Sequence, residues 1–357
     1  MHINKKTFNK KSFWATILVV QFVLFYLLSK WEIAISIFDN FFELQKNFHQ
    51  QLFSWFPFSL GDIAYIFLGV CILILIVRLF YKKRRSKALL HLFITFNIFY
   101  FLYQIFWGML YFQEPLINKL PKEEPRLQEV KILALQYLEK CKNTREFTHQ
   151  DENGIFKVEN WDIIKKDIIS QQQLLPSFLN AKKPSKSISV KPSFYGYLMN
   201  YSGILGYYNP FTAEAQYNKH LPDTFIPFTI AHESSHQIGY AREQEANFIG
   251  YLMGINSNNI ELRYSTEYYT LRSLLNYIQY EDPSFVKQIL LKYSPKMKQD
   301  REFEKDFVEK HQGLMDDFFA FTNDIFLQSN QQEGSVTYSY FIDLLVRYER
   351  IKKESYH

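Results

Sequence analysis

The chain has 357 residues, 18% of them aromatic and 22% charged, with a formal net charge of +5. A wholly soluble domain has little use for 35 Phe and 25 Tyr, whereas a membrane-embedded part with interfacial aromatic belts does. The basic excess falls in two short runs without an Arg-rich stripe, which argues against nucleic-acid binding, and the two distant cysteines, Cys71 and Cys141, exclude a disulfide framework and a Cys-based zinc site.

Three apolar segments fill the first third: Phe13 to about Leu28, a run most apolar from Ile63 to Val77, and Ala88 to Phe112. A hydrocarbon core of roughly 30 Å takes about 20 helical residues, so the third segment has ample length and the first two reach it with their apolar shoulders. The first segment could also be a signal peptide, but no small-residue cleavage site follows it. Lys5, Lys6, Lys10 and Lys11 precede the first segment, and Lys82, Lys83, Arg84, Arg85 and Lys87 separate the second from the third. By the positive-inside rule both runs are cytoplasmic, and three crossings put everything after Phe112 on the other face. In a bacterium that makes an inner-membrane protein with a cytoplasmic N-terminus and a periplasmic or extracellular C-terminal domain. The Phe- and Trp-rich stretch FDNFFELQKNFHQQLFSWFPF between the first two segments reads as a helix lying in the outer interface or as a plain loop. The spans hold almost no ionisable residues, His91 being the main exception, so they read as an anchor in the lipid bilayer and not as a transport path.

After Phe112 the composition changes. EPLINKLPKEEPRLQEV, with three prolines and many charges, reads as a linker. LQEVKILALQYLEKC and WDIIKKDIISQQQLL repeat apolar residues every three and four positions and read as helices. The stretch SKSISVKPSFYGYLMNYSGILGYYNPFTAEAQYN alternates, carries Gly and Asn turn signals, and reads as a few short strands. From PDTFIPFTIAHESSH onward the pattern is helical, with breaks near Asn256 to Asn259, at 282–284 and at Gly334. The expectation is a mainly α fold with a small β-sheet: residues 1–112 a three-helix membrane anchor, residues 113–357 an extracytoplasmic domain.

The chemistry-bearing stretch is TIAHESSHQIGYAREQEANF. His232 and His236 are four apart, so a helix stacks them on one face and two imidazoles can meet one metal ion. Zinc takes N and O ligands at about 2.0–2.2 Å and lowers the pKa of its water toward about 7; Glu233 between the histidines is placed to act as general base. The apolar lead-in FIPFTIA puts the helix inside the domain, where an unpaired His-Glu-His cluster would be costly. Glu243 and Glu245 are the candidates for a third ligand. An unbroken helix would separate His232 from Glu243 by about 16 Å, so the helix has to end, and Gly239 is the place for it. A second helix would then start at about Arg242 with Glu243 in its first turn, near the metal, and Glu245 lies about 200° round that helix from it, so only one of the two should face the ion.

These residues resemble the zincin metallopeptidases. The glutamate branch of that superfamily carries H-E-x-x-H on one helix and E-x-x-x-D on the next, and Glu243-Gln-Glu-Ala-Asn247 fits the second element with Asn in place of Asp. The resemblance implies an α+β peptidase domain, Zn2+ held by His232, His236 and Glu243 (Glu245 the alternative), and Glu233 as the catalytic base. Asn247 departs from the pattern, because an amide offers no carboxylate to orient a histidine. The step from His236 to Glu243 is also short for the glutamate branch and is similar to the Gly-turn of the metzincins, but the position at which those place their third ligand is here Arg242. GYYNPFTAEAQYN, HESSHQIGYAREQEANFIGYL and the N-terminal spans together resemble an uncharacterised family of bacterial three-span membrane proteins assigned to the zincins.

Zincins bind an extended substrate along an edge strand, and YYNPFTAEAQYN could be that strand or a hairpin that only covers the helix. Tyr340, Tyr207 and Tyr208 are candidates for stabilising an oxyanion, although core packing suits each of them better. Gly250 and Gly254 allow close helix packing, and His220 reads as a surface residue. The expected function is a membrane-anchored zinc peptidase acting on a protein or peptide near the membrane. Its rivals are a non-catalytic relative serving as a binding or assembly factor and a structural membrane protein with a chance motif.

Overall fold

The computed structural model describes residues 10–180, 182–313 and 337–354. Lys5 and Lys6 of the first basic run and the break expected at Gly334 lie outside them. Four helices come first: α1 (Lys11–Leu28), α2 (Glu32–Ser54), α3 (Leu60–Leu79) and α4 (Arg85–Phe106). Among the described residues α1, α3 and α4 are long and apolar enough to cross a membrane. α4 packs against both of the others. Their outward faces carry residues such as Val19, Phe22, Phe67, Leu73, Phe96 and Ile98. The buried Asn97 of α4 ties in α1: its amide donates to the Trp14 carbonyl at 3.0 Å and accepts from Gln21 Nε2 at 3.3 Å. An interhelical bond of this kind costs little when the alternative is an unmet amide in hydrocarbon.

The third apolar run reaches Phe112, but the helix stops at Phe106. Trp107 takes φ −149°, ψ −52°, and Gly108–Phe112 forms a 3-10 turn whose Gly108, Met109, Leu110 and Tyr111 are buried in protein. The segment that follows is no free linker. Leu116 and Leu120 enter the main core, and the Leu116 N–H is bound by Glu245 Oε1 at 2.8 Å.

The rest is helical around a small sheet. α5 (Leu127–Arg145) and α6 (Trp161–Gln173) precede β1 (Val190–Pro192), the single turn α7 (Gly196–Met199), β2 (Gly206–Asn209) and β3 (Glu214–Tyr217). The strand order is β1-β3-β2, with β1 parallel and β2 antiparallel to β3. Then come α8 (Ile226–Ile238), α9 (Glu243–Ile255), α10 (Ile260–Gln279), α11 (Pro283–Leu291), α12 (Pro295–His311) and α13 (Thr337–Glu354). The breaks fall on side chains that cap the next helix. Asn259 accepts from Leu262 N, Asp282 from Phe285 N, and Ser294 from Met297 N, the last at a break the periodicity does not show.

α8 is the central element, buried along nearly its whole length. β3 and β2 cover one side and α9 the other. α9 comes so close because Gly250 faces α8: a Cβ there would lie 3.0 Å from the His232 backbone nitrogen. Gly254 does the same toward α10, where a Cβ would collide with the Thr266 hydroxyl at 1.9 Å.

The membrane-side elements are built into this arrangement. The Glu214 carboxylate of β3 accepts from the Leu60 and Gly61 amides, at 3.2 and 2.6 Å, and so caps the N-terminus of α3. Lys191 of β1 pairs with Glu214 at 2.6 Å and donates to the Phe53 and Phe58 carbonyls. Asp62, in the first turn of α3, accepts from the Tyr207 hydroxyl, from Ser193 Oγ at 3.1 Å and from the Phe194 amide at 2.7 Å.

Candidate metal centre

α8 stacks the His232 and His236 rings one turn apart, centroids 4.8 Å from each other and planes at 90°. The helix ends at Ile238. Gly239 takes φ 107°, a left-handed conformation, and its N–H returns to the His236 carbonyl at 2.9 Å. A Cβ at this position would also meet the Phe42 ring of α2 at 2.7 Å, so conformation and contact both require glycine. The chain turns back through Tyr240 and Ala241, and α9 starts at Glu243.

That turn brings Glu243 across the two histidines. Its Oε2 lies 3.1 Å from His232 Nε2 and its Oε1 3.5 Å from His236 Nε2. Glu245 points elsewhere: it binds the Leu116 amide and pairs with Arg242 Nη1 at 3.1 Å. The far nitrogen of each imidazole has its own acceptor. His232 Nδ1 is 2.8 Å from Asn247 Oδ1, and His236 Nδ1 is 2.6 Å from the Tyr240 carbonyl. Both acceptors hold an Nδ1–H, which leaves the Nε2 of each ring facing the Glu243 carboxylate. Asn247 therefore does with an amide oxygen the orienting work for which the sequence pattern leads one to expect a carboxylate.

Glu233 lies beside this group, and one of its oxygens falls within 4.8 Å of a nitrogen of each histidine. The residue is 4% exposed and its Oε2 has no hydrogen-bond partner. Burial pushes its carboxyl up to about 7, against the pull of the two neighbouring imidazoles. For Glu243 burial acts in the same direction, but the two imidazoles outweigh it and hold the carboxyl well below the usual range.

The edge strand explains how Glu233 is held. A Cβ at Gly206 would come within 2.8 Å of Glu233 Cγ and Oε1, so β2 can lie on the carboxylate only with glycine there. Side chains alternate along a strand. Gly206 and Tyr208 face the histidine helix, the Tyr208 ring 6.4 Å from that of His236. Tyr207 and Asn209 face the start of α3, toward Asp62 and Gly61. The Asn218 N–H bonds the Leu205 carbonyl at 2.8 Å, and by the antiparallel alternation the N–H and C=O of Gly206 and Tyr208 then point away from β3.

Several residues near the cluster carry no signal in the sequence. Trp107, at the end of α4, sets its ring 5.7 Å from that of His236 and 4.5 Å from that of Tyr208. Its Nε1 donates to Tyr111 Oη at 3.4 Å; burial and then the nearby Tyr103 and Glu243 hold that hydroxyl protonated. Lys46 and Gln50 of α2 cap the end of α8, donating to the Ile238 and Gln237 carbonyls at 3.3 and 3.0 Å. Only Asp62 was detectable in principle, as a carboxylate three residues after the capping Ser59 at the mouth of an apolar run. Of the tyrosines considered for an oxyanion, Tyr207 is engaged by Asp62, the buried Tyr208 hydroxyl has no partner, and Tyr340 sits on α13, which packs on α9, α10 and α5. His220 is exposed beside Tyr197.

The donor set fits a small N/O-binding cation. Ligands about 2.0–2.2 Å from a tetrahedral zinc stand roughly 3.3–3.6 Å from one another. The His236-to-Glu243 separation, 3.5 Å, falls in that range, and the His232-to-Glu243 separation, 3.1 Å, lies just below it. The chain belongs to the family described as "Protein of unknown function (DUF3810)", whose model matches residues 38–346. No curated protein and no solved structure matches it.

Proposed function

We propose that the protein is a membrane-anchored, zinc-dependent peptidase of zincin type, with its N-terminus in the cytoplasm and residues 113–357 outside. The observation that carries this reading is the Glu243 carboxylate lying across both His Nε2 atoms with the unpartnered Glu233 oxygen beside them. A structural site would close every position and need no such base. His232, His236 and Glu243 would hold the ion, which when bound supplies Lewis acidity to a carbonyl and to a water. Glu233 accepts the proton of the attacking water at Oε2 and passes it to the leaving amine. The outward N–H and C=O groups of Gly206 and Tyr208 hold an extended peptide as an added strand. Gly206 brings that strand against Glu233, and Asn247 and the Tyr240 carbonyl keep the imidazoles aimed.

The test is turnover of a general protein substrate by the full chain and by Glu233→Gln, with metal content measured on both. One zinc per chain in each, with turnover in the wild type alone, is the expected result. Equal turnover would dismiss the peptidase reading. One zinc without turnover in either form would favour the non-catalytic binding or assembly factor.

A further inference from the structure

The conformation of α2 bears on the substrate, given the peptidase reading above. Its apolar residues Ile33, Ile37, Phe41, Leu44, Phe48 and Leu52 are all exposed, and at about 100° per residue they fall within an arc of about 100°. A second arc, with Ala34, Phe42, Gln45, Lys46 and Gln50, is buried against the protein. The third, with Glu32, Ser36, Asp39, Asn40 and Glu43, lines a groove of about 1160 Å³ that Leu44 also reaches. A helix divided into lipid, protein and water faces is made for an interface.

Connectivity fixes how it lies. α1 ends three residues before α2 begins, and α3 begins five residues after α2 ends, so both ends of α2 belong to the same membrane surface. Twenty-three residues make a rod of about 34 Å. The connection to α3 spans at most about 20 Å, so the rod cannot stand on end. Its contacts agree: Phe38 meets Phe25 near the end of α1, and Phe41 stacks on Phe106, the last residue of α4, with centroids 6.2 Å apart. Trp55, Phe56 and Phe58, all exposed, follow in the connection. The occupant of the apolar stripe is therefore the outer-leaflet lipid, continuous with that around the three spans.

The opposite arc of α2 is fastened to the helix that carries the histidines. Lys46 and Gln50 bind the last carbonyls of α8, and Phe42 fills the space over Gly239. Packed helices lie about 8–10 Å apart. We infer that α2 acts as a spacer that, with Trp107 at the end of α4, holds the candidate metal centre within about one helix diameter of the bilayer. The substrates are then polypeptides tethered in the same membrane, cut within roughly three or four residues of where they leave it, at about 3.3 Å per extended residue.

The experiment uses the full chain in phospholipid vesicles and a ladder of peptides in which one susceptible sequence is moved stepwise away from a transmembrane anchor. The same sequence without an anchor is the control. The proposal expects cleavage to stay at a fixed distance from the anchor, and the detached peptide to have kcat/KM at least tenfold lower. Cleavage that follows the sequence along the ladder, or equal rates with and without the anchor, would overturn the spacer while leaving a peptidase. No Glu233-dependent cleavage of any peptide would remove the peptidase reading and this substrate class with it. A label at Phe48→Cys in a Cys71→Ala, Cys141→Ala background tests the spacer without chemistry. Nitroxide lipids should quench it strongly and should leave one at Ser36→Cys bright; equal quenching overturns the placement of α2.

Discussion

Glu233 and Asp62 flank β2 from opposite faces, and the fold treats their buried carboxylates in opposite ways. Asp62 accepts from two hydroxyls and a backbone amide. Glu214, next to it, is met by two amides, a hydroxyl and the Lys191 ammonium. Glu233 leaves Oε2 without a partner. A buried acceptor left unmet costs about 1–3 kcal/mol, and here the open Glu233 oxygen lies beside the two imidazoles, whereas the Asp62 and Glu214 carboxylates are met on every oxygen. One strand thus separates a face that anchors from the face of the candidate metal centre, and on the proposed function substitutions on the two faces should fail differently.

The largest effect belongs to the face of the candidate metal centre. Glu233→Gln should lower kcat by about 10² to 10⁴, the usual worth of a positioned general base. Its melting temperature should be unchanged or higher, because a neutral amide replaces a poorly met carboxyl. A variant that loses its fold along with its turnover would make Glu233 a structural residue like Asp62 and erase the distinction. The anchoring face should show the reverse. Glu214→Ala strands the buried Lys191 ammonium and two amides of α3, so chemical denaturation should report a loss of about 3–5 kcal/mol. Glu214→Gln keeps acceptors in place and should recover part of that loss. In either variant the folded fraction should still bind one zinc.

How much of this could be read from the chain follows the same division. Residues close in sequence and joined by one turn were legible. The spacing of His232, Glu233 and His236 fixes a helix face, and the need for a bend at Gly239 follows from helix rise alone. Gly250 and Gly254, four apart, announce a close helix contact. The three apolar helices and most helix breaks came from periodicity and composition. What could not be read depends on distant pairing. Nothing in SISVKP says that Lys191 meets Glu214, or that Glu214 caps a helix that begins at Leu60. The segment after Phe112 looked like a linker because its prolines and charges are local facts, while the burial of Leu116 and Leu120 is a tertiary one. Trp107 reads from the sequence as part of a span, although it ends one and packs on His236. Asn247 offers no carboxylate, and only the fold shows that its amide oxygen reaches His232 Nδ1 instead.

Two smaller effects sharpen the comparison within the face of the candidate metal centre. Asn247→Ala removes the acceptor on His232 Nδ1, and the zinc dissociation constant should rise about 10- to 100-fold in a competitive chelator titration. Asn247→Asp should restore it. If alanine binds zinc as tightly as the wild type, the orienting role is gone. Gly239→Ala forces a side chain into the left-handed region and against Phe42, which should cost about 1–2 kcal/mol in stability. Because α2 supplies that contact, Phe42→Leu in the same chain should return part of the loss, and strict additivity of the two substitutions would uncouple α2 from the bend.

The smallest effect comes from a carboxylate of a third kind, satisfied but at the surface. Glu129 accepts from Arg350 at 3.0 and 2.7 Å and from the Arg126 amide at 2.9 Å, joining the start of α5 to α13. The Arg350 hydrogen bonds outweigh burial and lower its carboxyl from 4.5 to about 2. A pKa depressed in the folded state gives stability that is present above about 4.5 and lost as pH falls toward about 2. With the side chain 35% exposed, solvent screening keeps the gain below about 1 kcal/mol. Wild type should therefore exceed Glu129→Gln by a fraction of a kcal/mol at pH 6, and the gap should fall to less than half by pH 3, close toward pH 2 and also narrow in high salt. Both chains share every other titrating group, so the difference between their pH profiles isolates this one. A gap that persists unchanged at pH 3 would mean that Glu129 acts by geometry alone, and that its charge adds nothing that an amide at the same place does not.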